Sequence, residues 1–114
     1  MEKERRKFPR SRQPFEARYR NYGALVDPWQ PITLINLGAG GLCFQTESLL
    51  ELGSRLEIEL PLPTEERLIL HGRLLWSRPQ PHNVAEHGVE FTDVTQEQQI
   101  QLDALVDFLR GKRP

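Results

Sequence analysis

Three arginines near the start of the chain are the residues best suited to bind an anion. Arg5, Arg6 and Arg10 lie in a polar, basic stretch, residues 1–13. An arginine side chain pairs bidentately with phosphate, stacks on flat rings and fits the O6 and N7 edge of guanine. Because Pro9 disfavours a helix, we expect a mobile arm in which Arg6 and Arg10 stand up to ~13 Å apart. The arm could grip one ligand at two points, although a solvated basic tail would have the same composition.

A second candidate binding segment is the loop Asn36-Leu37-Gly38-Ala39-Gly40-Gly41. Its glycines allow positive φ and a close approach of the backbone to a ligand. Exposed amide N–H groups in such a loop could bind an anion or a carbonyl, and the Asn36 side chain could pair with a base edge. Taken alone, the segment fits a plain turn between two strands equally well.

The charge of the chain is unevenly distributed. Residues 1–20 contain eight basic and three acidic residues, 8 − 3 = +5, so the remainder carries −6 to give the net −1. A basic arm on an acidic body favours a compact anion such as a nucleotide over polymeric nucleic acid. A small barrel that binds RNA or DNA would need exposed aromatic side chains on a basic face, whereas the outward strand positions here include Glu57, Glu59 and Glu90.

Other chemistries find little support in the sequence. Cys43 is the only cysteine, and His71, His82 and His87 do not share metal-ligand spacing with it or with one another. No serine, histidine and acid arrangement points to catalysis, so we expect no metal, no cofactor and no enzyme activity. No apolar run approaches the ~20 residues that span a bilayer, and the start of the chain lacks a signal sequence, so we expect a cytoplasmic protein without membrane insertion.

The spacing of the apolar residues predicts six short strands. The predicted strands lie at residues 15–20, 32–35, 42–46, 55–60, 68–78 and 87–91. In the fifth strand Leu74 and Trp76 share one phase. Trp76 is therefore either a core or barrel-rim aromatic or, near the end of its strand, a residue presented to a ligand.

A single helix is predicted at the C-terminal end, at about residues 96–110. Thr95-Gln96-Glu97-Gln98 has the form of a capping box. An apolar stripe follows, made of Leu102, Leu105, Val106 and Leu109. Six strands and one helix predict a six-stranded antiparallel β-barrel, which leaves no open sheet edge. The expected organisation is a ligand-binding arm, residues 1–13, and one barrel domain with its helix, residues 14–114.

Together the two segments resemble the PilZ domain family. The resemblance rests on Arg6-x-x-x-Arg10 ahead of the first strand and on the Asn36–Gly41 loop after the second. It extends to Glu4-Arg5-Arg6, Phe8-Pro9-Arg10 and Gly88-Val89-Glu90-Phe91, and to the leucine-bearing C-terminal helix. The resemblance implies a six-stranded barrel that binds the bacterial second messenger cyclic di-GMP between its arginine pair and its loop.

By this resemblance, Arg6 and Arg10, assisted by Arg5, hold phosphates and a guanine. Asn36 reads a guanine edge, Gly41 supplies the tight turn, and Trp76 could stack on a guanine. Where the family usually has serine, this chain has Gly38, and the loss of one hydroxyl hydrogen bond costs roughly 0.5–1.5 kcal/mol, or ~2- to 10-fold in affinity. Alternatively, Gly38 leaves its own N–H open to the ligand or makes the loop more flexible.

The sequence therefore predicts a cyclic di-GMP receptor. Its arm would change conformation on binding, and the domain would signal to a protein of the motility, exopolysaccharide or pilus machinery. The alternative, prompted by Gly38, is a PilZ-like adaptor that binds other proteins and no nucleotide.

Overall fold

The computed structural model describes residues 16–23 and 28–111, and these residues form a closed antiparallel barrel with one helix. The strands are β1 (Ala17–Asn21), β2 (Gln30–Leu37), β3 (Gly41–Thr46), β4 (Arg55–Pro61), β5 (Arg67–Gln80) and β6 (Val84–Thr92), and the helix is α1 (Gln96–Leu109). Around the barrel the strand order is β1-β2-β3-β6-β5-β4. The predicted six-stranded antiparallel barrel with a C-terminal helix is confirmed.

Alternation along the strands fills the barrel interior. In β4 the side chains of Leu56, Ile58 and Leu60 are fully buried, and Phe44 of β3 packs into the same core. Burying each such side chain contributes about 1.5–3 kcal/mol relative to leaving it in water. The inward positions therefore fix the register of each strand, since a slip of one residue would expose the whole set.

The outer face of β1 and β4 is a set of paired charges. Arg18 donates from Nε to Glu59 Oε1 at 2.7 Å, and Arg20 donates from Nε to Glu57 Oε1 at 2.7 Å. The Arg20 guanidinium also lies 4.3 Å from the centre of the Trp29 ring. Two of the glutamates that make the body acidic are thus neutralised by neighbouring arginines.

The C-terminal helix is anchored at its start and packed through one face. Thr95 Oγ1 accepts from the Gln98 backbone N–H at 3.1 Å and the Gln98 side chain accepts from the Thr95 N–H at 3.0 Å, which completes the capping box. Leu102, Leu105 and Val106 are buried against the barrel. Within the described residues, no helix is long and apolar enough to cross a membrane.

Candidate functional site

A β-bulge in β2 turns the Asn36 side chain out of the barrel. The pairing of β2 with β3 shifts between Leu34 and Asn36, so that Ile35 is the extra residue. Simple alternation from the buried Ile32 would point Asn36 inward, but the bulge places Leu37 in the core and leaves Asn36 exposed. Bulges commonly re-aim side chains beside binding sites.

A second bulge does the same for Trp76. The pairing of β5 with β6 shifts between Leu74 and Trp76, with Leu75 as the extra residue. Trp76 therefore leaves the inward phase of Leu74 and is 36% exposed on the outer face. The assignment of Trp76 to the phase of Leu74 was wrong, because alternation cannot reveal an inserted residue. Ser77 takes the inward position instead and pairs with the buried His87.

The two bulges bring Asn36 and Trp76 to opposite ends of one row on the outer surface. Asn36 lies opposite Cys43, Cys43 opposite Gly88, and Gly88 opposite Trp76. The row crosses β2, β3, β6 and β5, which are consecutive in the barrel. Three strand spacings separate its ends by about 14 Å along the sheet. Two of the residues predicted to bind a ligand thus share one surface.

Gly88 makes room for the Trp76 ring. A Cβ atom at Gly88 would lie 2.1 Å from Trp76 Nε1, so the indole lies directly over the β6 backbone. The Arg78 guanidinium is 5.0 Å from the centre of the same ring, and Arg78 Nη2 is 3.1 Å from Glu86 Oε1. The β6 backbone therefore fixes the position of the ring, and the Arg78 guanidinium adds a cation–π contact to it.

The row forms the floor and walls of a cavity of about 280 Å³. Its lining residues are Asn36, Gly38, Gly41, Leu42, Cys43, Leu75, Trp76, Gly88 and Val89. Among the described residues, none of those that line it is charged. Burial is the main cause that raises the pKa of the Cys43 thiol; Glu86 raises it further and Arg78 opposes the shift. The thiol is therefore neutral at neutral pH, and the cavity suits a flat, uncharged group such as a base.

The turn between β2 and β3 borders this cavity. Gly38 donates its backbone N–H to the Gly41 carbonyl at 2.9 Å, so this N–H is already used within the turn. The idea that Gly38 leaves its N–H open to a ligand is therefore wrong for this conformation. The Gly40 carbonyl accepts from the Phe91 N–H at 2.9 Å, which ties the turn to β6.

Gly41 allows β3 and β6 to approach closely and does not form a tight turn. Its φ is not in the left-handed region, and it is the first residue of β3. A Cβ atom there would lie 2.2 Å from the Val89 carbonyl oxygen, which is backbone and cannot move aside. The role expected for Gly41 is corrected accordingly.

Arg5, Arg6 and Arg10 lie outside the described residues, but the direction of β1 bears on their reach. Ala17 is opposite Ile32 in an antiparallel pair, so the N-terminal end of β1 points toward the end of β2 that carries Asn36. Arg10 precedes Ala17 by seven residues, which span up to ~24 Å when extended. From Ile32 to Asn36 the strand advances only ~13 Å. Chain length therefore allows Arg10 to reach the row.

The sequence did not predict that four further residues contribute to this surface. Leu75, Gly88 and Cys43 line the cavity, and Arg78 contacts the Trp76 ring. Gly88 stands in the run Gly88-Val89-Glu90-Phe91, but its purpose depends on the cross-strand partner Trp76. That partnership depends in turn on the bulge at Leu75. The only signal in the sequence was a glycine inside a strand, which often marks a close approach.

The closed barrel with its capped helix belongs to the class of small antiparallel β-barrel domains. Comparison with protein families identifies the family within this class. The family model described as PilZ domain matches residues 4–108. The chain belongs to the PilZ domain family. A search of curated proteins returned no match.

Solved structures share the fold at low sequence identity. The inhibitor of motility MotI/DgrA from Bacillus subtilis aligns with a TM-score of 0.65 and 15% identity, over 88% of this chain and 49% of that one. This chain thus spans about half the length of MotI. The PilZ domain of YcgR from Escherichia coli, solved with c-di-GMP, gives a TM-score of 0.65 and 16% identity over 86% and 83% of the two chains. The PilZ domain of CeSA from a cellulose-synthesizing bacterium gives 0.61 and 18% over 84% and 92%.

Proposed function

We propose that this PilZ domain is a receptor for cyclic di-GMP, bound between the outer row from Asn36 to Trp76 and the arginines of residues 1–13. The observation that carries the proposal is the row itself. Two separate bulges place an amide and an indole on one face. An amide can read a guanine edge and an indole can stack on its ring.

The size and charge of the cavity suggest that it binds only part of the ligand and that residues outside it complete the binding site. About 280 Å³ is at the low end of the ~300–1,000 Å³ of small-molecule sites, so the cavity suits part of a dinucleotide. Its described lining carries no charge, whereas cyclic di-GMP carries two phosphates. The arginines Arg5, Arg6 and Arg10 would supply the missing cations, with Arg6 and Arg10 on the phosphates and a guanine and Arg5 assisting.

The signalling step we propose is a change in conformation of the arm. Closing residues 1–13 over the ligand neutralises part of their net charge, 6 − 2 = +4, and presents a new surface to a downstream protein. The family relatives suggest where to look: MotI is an inhibitor of motility, and CeSA comes from a cellulose-synthesizing bacterium. Proteins of the motility, exopolysaccharide and pilus machinery are the partners we would test.

The experiment is isothermal titration of the full chain with cyclic di-GMP, with GTP and cyclic GMP as competitors of related chemistry. We expect saturable binding of cyclic di-GMP alone, weakened by added salt because charged contacts contribute to it. The double variant Arg6→Ala/Arg10→Ala should lose binding. The matched control Lys3→Ala/Lys7→Ala removes the same charge from the same segment and should bind at least tenfold more tightly than the arginine variant.

The second candidate function is an adaptor that binds no nucleotide, an alternative prompted by the absence of a loop hydroxyl at Gly38. A folded chain that shows no heat of binding at low salt would support the adaptor and overturn the receptor. Equal losses in the arginine and lysine variants would mean that net charge, not the arginine pair, drives binding.

A further inference from the structure

A groove of about 460 Å³ lies between β2 and the C-terminal turn of α1. Most of the described residues that line it are apolar, and one, Arg110, is charged. The apolar ones are Ile32, Leu34, Ile35, Leu37, Val106 and Leu109. Apolar surface along a groove is stabilised when another apolar group covers it, and the space is large enough for an aromatic ring.

The same groove borders a part of β2 that is paired on one side. β2 has eight residues, but β1 pairs with the first three alone, ending with Ala17 opposite Ile32. Within the described part of the chain, β2 pairs from residue 33 onward with β3 alone. A strand edge of this kind is a template for a further extended segment. The groove therefore offers both an apolar lining and a strand edge.

The register of β1 on β2 indicates which residue meets this edge. In each of the observed pairs the two residue numbers add up to 49, so a continued register puts Glu16 opposite Thr33 and Phe15 opposite Leu34. Residues opposite each other in an antiparallel pair share one face, with Cβ atoms ~4.5–5.5 Å apart. Leu34 is two residues from the buried Ile32 and shares its phase. The continued register therefore directs Phe15 to the face that lines the groove.

Alternation along β1 leads independently to the same face. Ala17 and Tyr19 are buried, whereas Glu16 is exposed. Because side chains alternate along an extended chain, position 15 belongs to the inner face with Ala17 and Tyr19. The residue at that position is a phenylalanine, and Pro14 before it has no N–H with which to continue the pairing. The extension predicted by the register is thus about two residues long and ends with Phe15 at the groove.

We propose that the groove between β2 and α1 is the docking site of the arm root, residues 14–16, with the Phe15 ring packed between Leu34 and Val106. The occupant is a segment of this chain, because two residues separate Phe15 from Ala17 and Ala17 already lies opposite Ile32. Docking fixes the point from which residues 1–13 leave the barrel and ties that point to α1. The inference does not depend on the nucleotide site.

The other phenylalanine ahead of β1, Phe8, provides a matched control. It precedes Ala17 by nine residues, and both Pro9 and Pro14 lie between them. Phe15 continues the observed register of β1 on β2, whereas Phe8 would reach the groove only if the chain turned back. Phe8 therefore has the same side chain in the same segment and should leave the groove unaffected.

Nuclear Overhauser spectra of the full chain, with labelled Ile, Leu and Val methyl groups and protonated phenylalanine, test the proposal without any substitution. We expect cross-peaks from the Phe15 ring protons to the methyl groups of Leu34 and Val106. Cross-peaks from Phe8 instead, or none from either ring, would overturn the proposal. Groove methyl signals that shift with protein concentration would show that a second copy occupies the groove, which would overturn it as well.

Substitution tests the energy of the contact. Phe15→Ala should raise the unfolded fraction at a fixed urea concentration by ~10-fold or more, because a buried aromatic side chain is lost, and Phe8→Ala should not. Combined with Val106→Ala, the effect of Phe15→Ala should be less than additive, since residues in contact are coupled. Phe15→Leu keeps an apolar side chain in the groove, so this variant should stay folded by circular dichroism but lose the ring-current shifts of the Leu34 and Val106 methyl signals. Equal effects of the two alanine variants of phenylalanine, additive losses, or unchanged methyl signals would each contradict the docking of Phe15.

Discussion

At the scale of single residues, Gly38 is the loop position at which the resemblance to PilZ domains leads us to expect a serine. The backbone there has room for one. A Cβ atom at Gly38 would meet its nearest heavy atom, the Gly41 carbonyl oxygen, at 3.9 Å, and its φ is not in the left-handed region. The fold therefore does not require a glycine at position 38, and a serine can be introduced there.

We predict that Gly38→Ser tightens the binding of cyclic di-GMP by ~2- to 10-fold, the effect of one added hydrogen bond. Isothermal titration measures the change in dissociation constant. Gly40→Ser is the matched control, since a Cβ atom there has nothing within 4 Å and the residue does not line the cavity. An equal gain from both variants, or none from Gly38→Ser, would show that the hydroxyl is not what this loop lacks.

At the scale of elements, the approach of β3 to β6 depends on one glycine. Gly41 lies opposite Glu90, and the Val89 carbonyl oxygen occupies the place that a side chain at Gly41 would need. Since the two strands are paired over six residues of β3, they cannot separate at Gly41 without losing neighbouring hydrogen bonds. The strand pairing and the cavity beside it thus share one steric requirement.

We predict that Gly41→Ala lowers the free energy of unfolding by about 1–3 kcal/mol, the usual cost of overpacking. Denaturation in urea, followed by circular dichroism, gives the value. Gly40→Ala, one residue earlier and with open space around it, should change the free energy by less than about 0.5 kcal/mol. If the two alanine variants were equally stable, the close approach at Gly41 would not be a constraint.

Elements whose signals are local could be predicted from the sequence. Strict alternation from Arg55 to Leu60 indicated β4, and the Thr95–Gln98 capping box indicated the start of α1. The bulges at Ile35 and Leu75 could not be predicted, because both insertions are apolar residues among other apolar residues. Their effect on Asn36 and Trp76 depends on strand pairing, which is a property of the whole sheet.

At the scale of the whole molecule, a buried polar side chain links stability to pH. His87 is fully buried, and its Nε2 is 2.9 Å from the Ser48 carbonyl oxygen, which can only accept. Nε2 therefore carries the proton, and Ser77 donates to Nδ1 at 2.8 Å. Burial lowers the pKa of His87 from its ordinary value of 6.5, and the hydrogen bond to Ser48 partly opposes this. The folded barrel thus prefers the neutral ring.

We predict that the barrel loses stability as the pH falls below about 6.5, because the unfolded chain then binds a proton that folded His87 resists. Above that pH the contribution of His87 is constant. Thermal unfolding between pH 8 and about 5 measures the effect. His87→Gln should show a shallower loss of Tm with acid, whereas His82→Gln, at an exposed position, should follow the native chain. Identical slopes in all three proteins would exclude His87 as the source.

The separation of charge is the property of the whole chain that most favours a small anion. Residues 1–13 carry 6 − 2 = +4 and the rest of the chain carries −5, while the described cavity lining is uncharged. A long polyanion would meet the acidic body, whereas a compact ligand can rest on the neutral row and meet the arginines alone.

The measurement that tests the central claim most directly is a titration of isotope-labelled full chain with cyclic di-GMP, followed by amide and indole NMR signals. We expect the signals of the Trp76 indole N–H, of the amides of residues 36–41 and of those of residues 5–10 to shift and saturate together. The Trp29 indole lies beside β1, away from the row, and its signal should not shift. Signals that do not move at saturating ligand, or that move only around Trp29, would contradict a cyclic di-GMP site on the row from Asn36 to Trp76.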